Sequence, residues 1–128
     1  GVDMSIATPK GFEPDKNVIK QAKKSTNIEL TTDPFLAVKN ADVVVADTFS
    51  SIHNLDKKRL QKFLPKYQVN DKLMKSAKKD AIFLHCLPAK REQEVTSSVI
   101  DGPQSVVWDE TENRLHTQKA LLAALIHA

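Results

Sequence analysis

An α/β domain built on a largely parallel sheet is the fold class that this sequence predicts, on three observations. Short apolar runs of strand length alternate with segments whose apolar residues recur at helical spacing, the pattern of a parallel sheet flanked by helices. The run "ADVVVADT" (residues 41–48) carries three consecutive valines without polar alternation, as expected of a parallel strand covered on both faces. A chain of 128 residues, 41% of them hydrophobic, has the length and apolar content for one core, so residues 1–128 are read as a single domain.

Taken in order, Val2, Met4 and Ile6 alternate with Asp3 and Ser5 before Ala7-Thr8-Pro9, a half-buried strand closed by a proline. A loop with Gly11 and Pro14 follows. Over residues 15–25, Val18, Ile19 and Ala22 fall on one stripe with lysines between them, and Asp15 is placed to cap this surface helix. Residues 28–32 form a short strand candidate, and Asp33-Pro34 opens a brief helix through Ala37 and Val38. After the valine strand comes a polar loop from Ser50 to Asn54. Leu55, Leu60, Phe63 and Leu64 then mark a helix ending near Pro65. Asn70 or Asp71 caps the next, with Leu73, Met74 and Ala77 inward. Residues 81–84 read as a second buried strand, 95–100 as a short helix and Asp101-Gly102-Pro103 as a turn. Residues 105–108 supply a third apolar strand, and 113–128 a closing helix rich in Leu and Ala. No internal repeat, linker or low-complexity segment interrupts this order.

Composition narrows the class further. The net charge of +3 comes from scattered lysines interleaved with Asp and Glu, a solvated surface with no arginine-rich stripe or aromatic platform, so no nucleic-acid partner is expected. The apolar runs are too short to span a bilayer, and the first residues lack the basic-then-apolar pattern of a secretory signal. Cys86 is the single cysteine and cannot form an internal disulfide, which fits a reducing compartment. The expectation is a soluble, cytoplasmic protein with no membrane partner.

In an open parallel sheet, ligands gather at the carboxyl ends of the strands, where loops diverge and helix N-termini present free N–H groups. Asp47 and Thr48 follow the valine strand, His85 and Cys86 the Phe-Leu strand, and Asp109, Glu110 and Arg114 the Val-Val-Trp strand. All three clusters are expected along one edge. Each also has a plain reading. Cys86 can be a small hydrophobe at a strand end, and His85 a hydrogen-bonded histidine at the core rim. Asp47 can cap a turn, and Arg114 can pair with Glu110 or Glu112 on the last helix. A metal site from His85, Cys86, His53 and Asp47 is poor, because adjacent residues rarely both face one ion and no pair has zinc-site spacing. No metal and no cofactor are expected.

The stretches "SIATPKGFEP", "ADVVVADTFSS", "KYQVN", "FLHCLPAKREQEVT" and "DGPQSVVWDETENRLHTQKALL", in this order, closely resemble the ornithine-binding half of ornithine carbamoyltransferases, over residues 2–125. The His-Cys-Leu-Pro motif at 85–88 is the specific part, since it separates the ornithine enzymes from the aspartate-using branch. The resemblance implies a Rossmann-like domain that takes part in carbamoyl transfer from carbamoyl phosphate to the side-chain amine of ornithine. It implies that Asp47, Ser51 and Ile52 hold the amino-acid end of ornithine, Asp47 through its ammonium group. It further implies that Cys86 and the Leu87 carbonyl position the reacting amine, and that His85 and Arg114 lie against the carbamoyl oxygen, with Cys86 and Leu87 also at the carbamoyl group.

Two departures from the family pattern follow. Where the family shows Trp and then Ser-Met-Gly, "DTFSSIHN" has Phe49, Ser51, Ile52 and His53, a stiffer hinge, so a relative acting on putrescine or a modified ornithine is the alternative substrate reading. The family's N-terminal phosphate motifs are absent, as is the first central strand that belongs between the strand at 2–7 and the valine strand. The chain is therefore expected to be a fragment or truncated gene product, inactive alone. The hole in its sheet would be closed by direct pairing of the flanking strands or by a second chain, through self-association or a partner supplying the missing domain. A non-enzymatic remnant or interaction module that keeps the fold is the third reading.

Overall fold

The computed structural model describes residues 1–50 and 56–126. Ser51, Ile52 and His53, assigned above to the ornithine loop or to a possible metal site, lie outside the described residues, as does Leu55 at the expected start of a helix.

Strands and helices alternate as the sequence pattern requires. Strand β1 (Met4–Ala7) leads through helix α1 (Lys16–Ala22) to β2 (Ile28–Thr31), which pairs with it in parallel, Met4 opposite Ile28. Helix α2 (Pro34–Val38) precedes β3 (Val43–Ala46). Helices α3 (Lys57–Phe63) and α4 (Asp71–Met74) then carry the chain over to β4 (Ile82–His85), parallel to β3 with Val43 opposite Ile82 and Ala46 opposite His85. Helices α5 (Ser97–Ile100) and α6 (Val107–Ile126) complete the α/β fold.

Local chemistry explains most of the boundaries. The Asp15 carboxylate accepts the N–H groups of Asn17 and Val18 at 2.8 and 3.1 Å, and Asp33 accepts that of Phe35 with Pro34 in the first turn. Asn70 accepts the N–H of Leu73 at 3.0 Å. Each side chain thus satisfies donors that the first helical turn leaves free. Asp56, which the sequence reading passed over, does the same for Arg59 at 3.0 Å. The core gathers around β3 and β4, where Phe83, Val95 and Val107 are fully enclosed and Val44, Ala46, Val69, Leu73, Met74 and Ile100 pack about them. Burying a side chain the size of Phe83 contributes about 2–3 kcal/mol.

Four expectations are corrected. The run at 105–108 is not a strand. Ser105 makes one bridge to Phe83, and the Glu110 N–H then bonds to the Val106 carbonyl at 2.9 Å, closing the first turn of α6. A short apolar run does not by itself separate strand from helix, and Asp109 and Glu110 in the first turn favour the helix through its dipole. The closing helix accordingly begins at Val107 rather than at residue 113. The valine strand is covered on one face only. Val44 and Ala46 are buried, while Val43 is 44% and Val45 66% exposed, because no described element packs on their side.

The fourth correction concerns the sheet. Among the described residues β1 pairs with β2 and β3 with β4, and the two pairs are not hydrogen-bonded to each other, so the flanking strands do not close the expected hole directly. A cavity of about 440 Å³ lies between them, lined by residues 5–8 and by residues 43–48 in unbroken succession. A strand seen from one face would contribute alternate residues; contact with every residue in turn means that the cavity meets both strands edgewise. The β1–β2 pair is held at its far wall by α2 and by the Tyr67 hydroxyl, which donates to the Thr32 carbonyl at 2.8 Å.

Candidate active site

Parallel pairing of β3 and β4 dictates the first contact of the site. Ala46 and His85 are partners in the register, so the next residues along each strand, Asp47 and Cys86, emerge side by side at the carboxyl edge. The Cys86 thiol donates to Asp47 Oδ1 at 3.3 Å, and the same oxygen accepts the Thr48 N–H at 2.7 Å. Partial burial, then the hydrogen bond and the negative charge of Asp47, push the Cys86 thiol above its ordinary pKa. The sulfur is therefore held as a neutral thiol, which makes it a poor nucleophile and suits it to positioning.

The segment after Asp47 is tied at two points, by Arg59 Nε donating to the Phe49 carbonyl at 2.7 Å and by Lys90 Nζ near the buried Ser50 hydroxyl at 3.4 Å. Phe49 stacks on Phe63, with ring centroids 4.8 Å apart.

His85 faces inward. Its side chain is 0% exposed, enclosed beneath the strand tips. Nδ1 accepts the Leu87 N–H at 2.9 Å, and Nε2 lies 3.4 Å from Glu94 Oε1, close enough for electrostatic pairing but not aligned as a hydrogen bond. The Glu94 carboxylate is equally enclosed and accepts the Lys90 N–H at 2.5 Å. The His85 backbone N–H donates to Glu110 Oε2 at 2.9 Å, which fastens the tip of β4 to the first turns of α6. Leu87 adopts φ +50°, a left-handed conformation that costs a residue with a Cβ roughly 1–2 kcal/mol. The bond from its N–H to His85 offsets part of that cost.

Arg114 stands four residues after Glu110, one turn along the same face of α6. It forms no ion pair among the described residues; the pair found on α6 is His116 with Glu112, at 3.5 Å. The structure thus brings Asp47, Cys86, Leu87 and His85 to one edge, with Arg114 on the adjoining helix. Among the described residues, no group of three His, Cys, Asp or Glu side chains is arranged to hold a metal ion. Sequence reasoning missed Glu94 and the role of Glu110. Glu94 sits in the charged run at 90–94, which reads as solvated, and no local pattern marks it as buried.

Residues 1–125 match the family model described as aspartate/ornithine carbamoyltransferase, Asp/Orn binding domain. The chain belongs to the aspartate/ornithine carbamoyltransferase family. It is 62% identical over 125 residues to an ornithine carbamoyltransferase of Cenarchaeum symbiosum, covering 98% of this chain and 42% of the relative. It is 50% identical over 132 residues to that of Pyrococcus horikoshii, again covering 98% and 42%. Among solved structures, the ornithine carbamoyltransferase from Pyrococcus furiosus superposes with a TM-score of 0.87 at 50% identity, covering 96% of this chain and 41% of that one. The chain thus spans about two-fifths of the carbamoyltransferases that it matches, and the matched part is the one that the family model describes as binding the amino acid.

Proposed function

We propose that this chain is the ornithine-binding part of an ornithine carbamoyltransferase, a single domain that holds the amine acceptor for carbamoyl transfer. The observation that carries the reading is the contact between the Cys86 thiol and the Asp47 carboxylate at adjoining strand tips. The reaction joins the amine nitrogen to the carbonyl carbon of carbamoyl phosphate while the bond to the phosphate oxygen breaks and the nitrogen sheds a proton. The nitrogen must therefore present a lone pair, although a free alkyl amine is protonated at neutral pH. A neutral thiol and the Leu87 carbonyl accept hydrogen bonds from an amine without the charge that would stabilise an ammonium. Asp47 supplies that charge at the other end of the substrate, where an α-ammonium group calls for it. Arg114 brings fixed positive charge toward the carbamoyl oxygen, where anion develops. Ser51 and Ile52 complete the grip on the amino-acid end.

The phosphate cradle belongs to residues outside this sequence, supplied by a partner or by the rest of a longer polypeptide in the cytoplasm. The chain alone is accordingly expected to produce no citrulline from ornithine and carbamoyl phosphate. Calorimetric titration with ornithine or with norvaline, which lacks the side-chain amine, tests the half-site. Saturable binding that Asp47→Ala weakens tenfold or more, the loss expected for one charge-assisted contact of about 1.5–3 kcal/mol, supports the reading. No binding at millimolar ligand supports the non-enzymatic alternative, and putrescine binding as tightly as ornithine would move the assignment to a diamine substrate. Asp47 favours an α-amino acid over a plain diamine.

A further inference from the structure

The buried Glu94 carboxylate beside His85 takes no part in the proposed grip on substrate. We propose that Glu94 is a positioning residue that acts through His85: it holds the imidazole as the tautomer protonated at Nε2, so that Nδ1 captures the Leu87 amide and sets the Cys86-Leu87 turn. The inference rests on the proposed function for the meaning of that turn, but not for its geometry.

The Leu87 N–H points at Nδ1 from 2.9 Å, and an N–H donor requires a nitrogen there without a proton. A neutral ring must then carry its proton on Nε2, and that atom faces the Glu94 carboxylate at 3.4 Å with no water access, both side chains being 0% exposed. A carboxylate on that side favours the proton there, in the way that an acidic partner fixes the tautomer of a histidine ligand or base. The chain of contacts is continuous. Glu94 is held by the Lys90 N–H, His85 by Glu110 at its backbone, and Leu87, at φ +50°, by His85. Remove the carboxylate, and among the described residues only the Leu87 N–H itself still favours Nε2 over Nδ1 for the proton, against a turn strained at Leu87. A ring protonated at Nδ1 would repel the Leu87 N–H, and the turn that presents the thiol would lose its anchor.

The test is a long-range proton–nitrogen correlation spectrum of the imidazole in the whole 128-residue chain, together with amide hydrogen exchange. The wild type is expected to show the Nε2-protonated pattern and a protected Leu87 amide. Glu94→Gln, whose side-chain carbonyl can take the place of Oε1, should keep both. Glu94→Leu should shift the ring toward Nδ1 protonation and speed exchange at Leu87 about five- to tenfold, the net worth of one hydrogen bond, while the Phe83 and Val106 amides, bonded to the Gln104 and Phe83 carbonyls, stay protected. A merely structural role would loosen all three amides together and leave the tautomer unchanged, which would overturn the inference. Should Glu94→Leu not fold, the wild type still decides, because a ring protonated at Nδ1 overturns the inference without any variant. A chain that binds neither ornithine nor norvaline but shows the Nε2 tautomer would count against the proposed function alone.

Discussion

Cys86 shows how one contact changes the chemistry of a residue. Its thiol is pushed up by partial burial and by Asp47, so at mildly alkaline pH it carries less thiolate than a free cysteine. Asp47→Asn keeps a side-chain oxygen near the sulfur but removes the charge, so the thiol should titrate at lower pH. Alkylation by iodoacetamide at pH 8 is expected to run several-fold faster in this variant than in the wild type, and the two rates should converge above the pH at which both thiols are ionised. Equal rates at pH 8 would mean that Asp47 does not act on the sulfur. His85 and Cys86 are neighbours in sequence with opposite fates, one enclosed and one exposed, because successive residues at a strand end face opposite sides.

At the level of elements, the helices are short and depend on their caps. Helix α4 spans only Asp71–Met74, and its partly buried cap, Asn70, bonds to the Leu73 N–H. Asn70→Ala should cost about 1 kcal/mol of stability, read as a lower urea midpoint at unchanged slope. Leu73 and Met74 belong to the core beneath β3, so this helix end and the strand that delivers Asp47 are stabilised together. The strand tips are fixed in a different way, by register. A one-residue slip of β4 against β3 would take Cys86 away from Asp47 and turn His85 outward. The Glu110 carboxylate on the His85 N–H and the Glu94 carboxylate beside the ring both favour the observed register.

For the molecule as a whole, the notable feature is apolar surface left uncovered. Helix α6 is about 30 Å long, yet Val107 is its only buried residue among those described. Leu121, Leu122, Leu125 and Ile126 are all more than half exposed. Such a patch drives association. Sedimentation velocity of the chain should show a mass that rises with concentration over the micromolar range, and Leu121→Lys combined with Leu125→Lys should abolish that rise. A monomer throughout would show that the helix is stable in solvent by itself. The cavity between the two strand pairs adds to this exposure, with two strand edges facing it.

What the sequence by itself determined is the order and type of nearly every element, the caps at Asp15 and Asp33, a cap at Asn70 or Asp71 that the structure assigns to Asn70, and the meeting of strand tips at Asp47 and Cys86. These follow from interactions spanning two or three residues, or from the rule that ligands gather at the carboxyl edge of parallel strands. Only the tertiary structure decided that the strands split into two pairs, that Val43 and Val45 lie open and that residues 107–108 wind into helix. It likewise decided that His85 turns inward to Glu94 while Glu110 holds its backbone. Those outcomes depend on which surfaces meet across the chain, and the same apolar valine or charged glutamate is written identically whether a distant segment covers it or not.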